Sequence, residues 1–141
     1  MVYEVTDSKI KARLRSLGVA LVYLYGSEAL GVASRFSDFD VGIVLRKPSL
    51  LDSRGRRDRL RSELLQSLEG LTAGEGDREI DLVFLQTASS VLQFEAIHAG
   101  RLLFADNPVF QADYEEGVIR DYLDIRPLVE THYRAVLDRA A

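Results

Sequence analysis

The chain contains no cysteine, which excludes disulfide bonds and thiolate metal sites at once. Its two histidines, His98 and His132, are isolated from each other and have no partner at metal-ligand spacing. Long apolar runs are missing, and the opening MVYEVTDSKIK has no apolar signal core, so a cytoplasmic protein without membrane contact is expected. Excess positive charge is missing too. With 18 Lys and Arg against 22 Asp and Glu the net charge is −4, which argues against sequence-independent coating of nucleic acid, and no direct nucleic-acid partner is expected. There is no low-complexity tract, no internal repeat and no linker. The 141 residues are expected to form one domain, large enough to bury about two-thirds of the unfolded surface.

What is present alternates between helical and strand periodicity. Ile10, Leu14 and Leu17 recur at helical spacing between a Thr-Asp start and Gly18, predicting a helix over 6–17. VALVYLY, 19–25, is β-branched and aromatic and predicts a buried strand. The small residues 26–33 are compatible with a short helix opened by a Gly-Ser turn. VGIVL continues a strand begun at Asp38 and Asp40. Leucines 60, 64, 65, 68 and 71 predict a helix over 50–71, 70–79 a loop, and IDLVFL a third strand over 80–85. A helix to Gly100, a strand RLLFA and a C-terminal helical segment interrupted near Pro127 complete the pattern. The order predicts an α/β (α+β) fold: a small mixed sheet flanked by helices, with a core over about 18–105 and a helical segment over about 108–140.

The chemistry concentrates in GSEALGVASRFSDFD, 26–40. Side chains two apart on a strand share a face, about 7 Å apart at a rise of about 3.3 Å per residue. Asp38 and Asp40 can therefore lean toward one hard cation while Phe39 points into the core. Magnesium suits such a pair, because it prefers oxygen ligands and is completed by a substrate's phosphates. Gly26 and Ser27 stand where a strand gives way to a helix, a turn whose free N–H groups and positive dipole end suit a phosphate. Asp81 is the remaining candidate. Flanked by Ile80 and Leu82, it would be costly to bury unless it reaches a site, and a third carboxylate is what a two-metal clamp requires.

G-S, ten residues, D-x-D and a later aspartate on a strand resemble the nucleotidyltransferase superfamily related to DNA polymerase β. The short chain, QFEAIHAGRLLF and YEEGVIRDYLDIRP resemble more specifically the minimal nucleotidyltransferase (MNT) antitoxins that partner HEPN toxins. The first pattern covers 26–81 and the second roughly 93–134. The resemblance implies a polymerase β-like core with C-terminal helices and a protein adenylyltransferase using ATP and two Mg²⁺ ions. It places Gly26 and Ser27 on the terminal phosphates and Asp38, Asp40 and Asp81 on the metals. The implied acceptor is a tyrosine hydroxyl of a HEPN ribonuclease toxin, which the AMP silences. One departure stands out: family members often read G-S-x-A-R-G, and here GSEALG puts Leu30 in the arginine's place. Arg35 is the substitute candidate for the phosphates. Leu30 also motivates an alternative, an antitoxin that neutralises by binding alone. A small-molecule, aminoglycoside-type nucleotidyltransferase is the other, but 141 residues leave little room for an acceptor domain.

Other features favour plainer readings. RGRRDRLR, 54–61, is expected to be a solvated helix face beside a leucine stripe rather than an RNA patch. Arg126 and His132 in RPLVETHY faintly resemble the HEPN ribonuclease motif, but a chain with strands and a proline after Arg126 is expected not to build that site. Tyr114, Tyr122 and Tyr133 are expected to serve packing or partner contact.

Overall fold

The computed structural model describes residues 5–26, 39–72 and 79–140, with the side chains of 71 and 72 outside the description. Helix α1 spans Ser8–Ser16, strand β1 Val19–Tyr25, β2 Phe39–Leu45, α2 Arg54–Thr72, β3 Ile80–Phe84, α3 Ser90–Ala99, β4 Arg101–Ala105 and α4 Pro108–Ala140. Single 3₁₀ turns at Pro48–Leu51 and Leu85–Thr87 shorten the predicted second helix and third strand. Capping explains where the helices begin. Asp7 Oδ1 accepts from the backbone N–H groups of Lys9 (2.8 Å) and Ile10 (3.3 Å), Ser89 Oγ from Leu92, and Asn107 Oδ1 from Val109 and Phe110. Gly18, at φ +83°, supplies the left-handed residue that stops α1 and turns the chain into β1.

The strands form one mixed sheet in the order β3-β2-β1-β4. β2 and β3 are parallel, joined through α2; the other two pairings are antiparallel. β1 is buried along its whole length, because apolar layers cover both faces. One layer holds Leu14 of α1, Leu60, Leu64 and Leu68 of α2, and Phe39, Val41 and Ile43 of β2. The other packs Leu21, Tyr23, Tyr25 and Val44 under α3 and α4. The small mixed sheet flanked by helices is the architecture expected from the sequence.

The basic run of α2 is structural in part. Arg57 donates to the Leu51 carbonyl, and Arg61 donates to the Leu82 carbonyl while its guanidinium lies over the Phe84 ring. The Arg57 bonds tie α2 to the 3₁₀ turn before it, and the Arg61 bond fastens α2 to the outer strand β3.

The expected interruption near Pro127 does not occur: α4 runs unbroken through it. The ring removes one intrahelical donor, yet in a 33-residue helix the bonds on either side hold the axis, and Thr131 Oγ1 donates to the Pro127 carbonyl. Arg126 and His132 thus lie on one continuous helix, and the proline does not separate them. Among the described residues no helix is long and apolar enough to cross a membrane.

Candidate active site

Three strand ends converge on one face. Tyr25, the last residue of β1, is the register partner of Asp40 in β2, and Asp40 is the register partner of Asp81 in β3. Direct partners point to the same side, so Tyr25, Asp40 and Asp81 form a row across the sheet. Alternation along the strands sets which side. Phe39, Val41, Leu82 and Phe84 fill the α1/α2 layer, leaving Asp40 and Asp81 on the α3/α4 face. The row lies at the ends of the strands, where β1 turns at Gly26.

Gly26 is shaped for its neighbour. Its φ of +72° suits glycine alone, and a Cβ there would collide with Asp40 Oδ2 and come within 3.2 Å of Asp40 Cγ. The Asp40 carboxylate therefore lies directly against the main chain of the turn. Phe39, between the two expected ligands, is buried in the core as predicted. Ser27, Leu30, Arg35 and Asp38 lie outside the described residues.

Asp81 is exposed at the start of an outer strand, which corrects the expectation that its burial would be costly. Its distinction is positional, since it stands directly opposite Asp40. Among the described residues no group of three His, Cys, Asp or Glu side chains could hold a metal. Asp40 and Asp81 are two oxygen donors on facing register positions, and that donor chemistry fits a hard divalent cation completed by further oxygens.

Tyr25 and Glu95 were not singled out by sequence reasoning. Burial first, then the charges of Asp40, Asp81 and Glu95 in that order, push the Tyr25 phenol up from 10.0 to about 12. The hydroxyl is therefore neutral at any physiological pH. The only available sequence signal was the position of Tyr25 next to Gly26, and nothing marked Glu95, an exposed residue of α3. Because the folded-state value is the higher one, the unfolded chain loses its proton first. The contribution of Tyr25 to stability is then complete below pH 10 and lost as pH rises toward 12. In a Tyr25→Phe variant the alkaline fall in stability should be shallower over that window. In ultraviolet titration the phenolate step that Tyr25→Phe abolishes should move to lower pH in Asp40→Asn.

Beyond the row, Tyr23 donates to Glu115 Oε1 at 2.7 Å and Tyr114 to Gln93 Oε1 at 2.8 Å. Tyr122 stacks on Phe94 with centroids 3.9 Å apart, and Phe94 stacks in turn on the exposed His98. The α4 tyrosines 114 and 122 thus serve packing, whereas Tyr133 is exposed.

A likeness to known proteins accompanies this geometry. No curated protein matches the sequence. Among solved structures, the chain is similar to one from the crystal structure of a toxin–antitoxin with AMP-PNP, at 24% identity and TM-score 0.63, covering 96% of this chain and 98% of that one. It is also similar to a chain in the structure of the tri-AMPylated Shewanella oneidensis HEPN toxin in complex with MNT antitoxin, at 20% identity and TM-score 0.59, covering 99% and 98%. At these identities the likeness establishes the fold. The model of the polymerase β nucleotidyltransferase family matches residues 8–109, from the first turn of α1 to the start of α4 and spanning the whole sheet with its row of Tyr25, Asp40 and Asp81. The chain belongs to the polymerase β nucleotidyltransferase family.

Proposed function

We propose that the chain is the antitoxin of a HEPN ribonuclease toxin and acts by transferring AMP from ATP to a hydroxyl of that toxin, a tyrosine, in the cytoplasm. The observation that carries the reading is the facing pair Asp40 and Asp81 beside the Gly26 turn, on the fold of this family. The similar structures, one with AMP-PNP and the other with a tri-AMPylated HEPN toxin, support the choice of nucleotide and partner.

In this reading the acceptor oxygen attacks the α-phosphorus of ATP, the bond to the bridging oxygen breaks on the opposite side, and pyrophosphate leaves. Gly26 and Ser27 hold the leaving phosphates through the N–H groups of the turn, with Arg35 supplying positive charge in place of the family arginine lost at Leu30. Asp38, Asp40 and Asp81 are the residues that would hold two Mg²⁺ ions. Bound there, the ions supply the positive charge that offsets the triphosphate and the developing oxyanion. Asp81, exposed on the outer strand β3, would orient the attacking hydroxyl and help remove its proton as the new P–O bond forms. Tyr25, neutral and buried, adds no competing charge beside the carboxylates. Most of the rate enhancement comes from positioning and charge, since the protein itself forms no covalent bond.

The test is intact-mass spectrometry of a co-expressed HEPN partner with wild-type protein and with Asp38→Ala/Asp40→Ala. Gains of whole AMP units on the partner, absent with the double variant, are expected. An unmodified partner in a tight complex would instead favour neutralisation by binding alone, and Leu30→Arg would then be the variant to examine for recovered transfer.

A further inference from the structure

The C-terminal half of α4 carries an exposed side-chain series that no described residue covers. On its inner face α4 buries Val118 and half-buries Tyr114, Tyr122 and Ile125. Beside that stripe, around the helix, runs a second one: Ile119, Leu123, Arg126, Glu130, Tyr133 and Leu137. Successive members are four or three residues apart in alternation, the spacing of a helix-pairing seam. The four apolar members are between 42% and 69% exposed. Arg126 and Glu130 are about as exposed, and among the described residues they pair with each other, Nε to Oε1 at 2.9 Å. Beyond 130 every described residue of the helix is exposed. An isolated helical stretch of this length is marginal in water, so this half gains from a cover.

The order of chemistry along the seam selects the cover. Read from either end it runs apolar, apolar, charged, charged, apolar, apolar, with the two charges opposite in sign. A second copy laid antiparallel, with its two-fold axis at the axial level of residue 128 on the seam side of the helix, sets Ile119 against Leu137 and Leu123 against Tyr133. The same arrangement sets Arg126 against Glu130, and each contact occurs twice. A parallel copy would oppose Arg126 to Arg126 and Glu130 to Glu130. The seam spans about 27 Å at about 1.5 Å per residue, five turns of helix. A polar pair in the middle of an otherwise apolar seam fixes register, because any slip leaves a charge against an apolar side chain.

We infer that residues 119–137 of α4 form a self-complementary antiparallel seam through which two copies of this chain dimerise. The inference is independent of the transfer activity proposed above.

Charge reversal gives a decisive test on the full chain. Wild type should sediment as a concentration-dependent dimer. Arg126→Glu and Glu130→Arg should each weaken self-association at least about tenfold by placing like charges across the axis, an effect that salt reduces. Mixing the two variants in equal amounts should restore a dimer, because the seam centre of one is then wholly acidic and that of the other wholly basic. The double reversal R126E/E130R should restore it in a single chain. Both positions are solvent-exposed, and far-ultraviolet circular dichroism would confirm that the helix persists. A wild-type chain monomeric at all concentrations would overturn the inference, including the case in which a helical partner protein occupies the seam instead. Single variants that dimerise like wild type, or a mixture that stays monomeric, would overturn it equally.

Discussion

Asp81→Asn is expected to reduce AMP transfer about a thousandfold while leaving the melting temperature within about 2 °C of wild type. The size of the first effect follows from the role. A metal-holding carboxylate contributes several kcal/mol of charge stabilisation in the transition state, and about 4 kcal/mol corresponds to a factor of about 10³. The second follows from the surroundings. Asp81 is exposed, its side chain makes no hydrogen bond or ion pair with another described residue, and it stands on an outer strand opposite a second carboxylate. Neutralising it breaks no bond among the described residues and removes one like-charge neighbour, so the stability change should stay within about 0.5 kcal/mol. Single-turnover transfer from α-labelled ATP, beside a thermal melt, would check both. Loss of transfer together with a large drop in melting temperature would make Asp81 a structural residue. Retained transfer would remove it from the site.

The sequence disclosed the sheet more readily than the site. VALVYLY marked the boundaries of β1 to the residue, because a strand covered on both faces is apolar throughout and bounded by two glycines in left-handed conformation, Gly18 and Gly26. Asp40 was legible because Phe39 and Val41 alternate with it, and alternation fixes a face. For Asp81 the apolar flanks Ile80 and Leu82 imply a burial that the structure does not show, while the need for a third carboxylate is independent of burial. What places it opposite Asp40 is strand order and register, β3 beside β2 in parallel, and register across a long crossover is not written in local periodicity. Glu95 was invisible for the same reason: it approaches Tyr25 only because α3 folds back over the sheet. Pro127 misled in the opposite direction, since its local cost is outweighed by the length of α4 on either side.

Gly100→Ala is expected to cost about 3 kcal/mol, a fall of about 10 °C in melting temperature for a chain of this size. Backbone conformation does not explain it, since Gly100 has φ −82° and ψ 176°, which any residue adopts. Space does. A Cβ at Gly100 would strike the Ala96 carbonyl oxygen of α3 and lie 2.8 Å from the Leu24 carbonyl oxygen of β1, and both are main-chain atoms that cannot swing aside. The residue is the point where α3 ends against the central strand and the chain enters β4, with Arg101 the register partner of Leu24. Relief would require α3 to lift from β1, loosening Ala96 from the core and carrying Glu95 away from Tyr25, one residue past Leu24. Gly117→Ala is the control. It lies inside α4, and among the described residues its Cβ would meet only Arg120 Nη2, at 3.7 Å. Alanine there should stabilise by about 0.5–1 kcal/mol through helix propensity. Thermal melts of the two variants should therefore move in opposite directions. If Gly100→Ala cost no more than a few tenths of a kcal/mol, α3 would have freedom to shift on the sheet, and the position of Glu95 beside the row would no longer be fixed by packing.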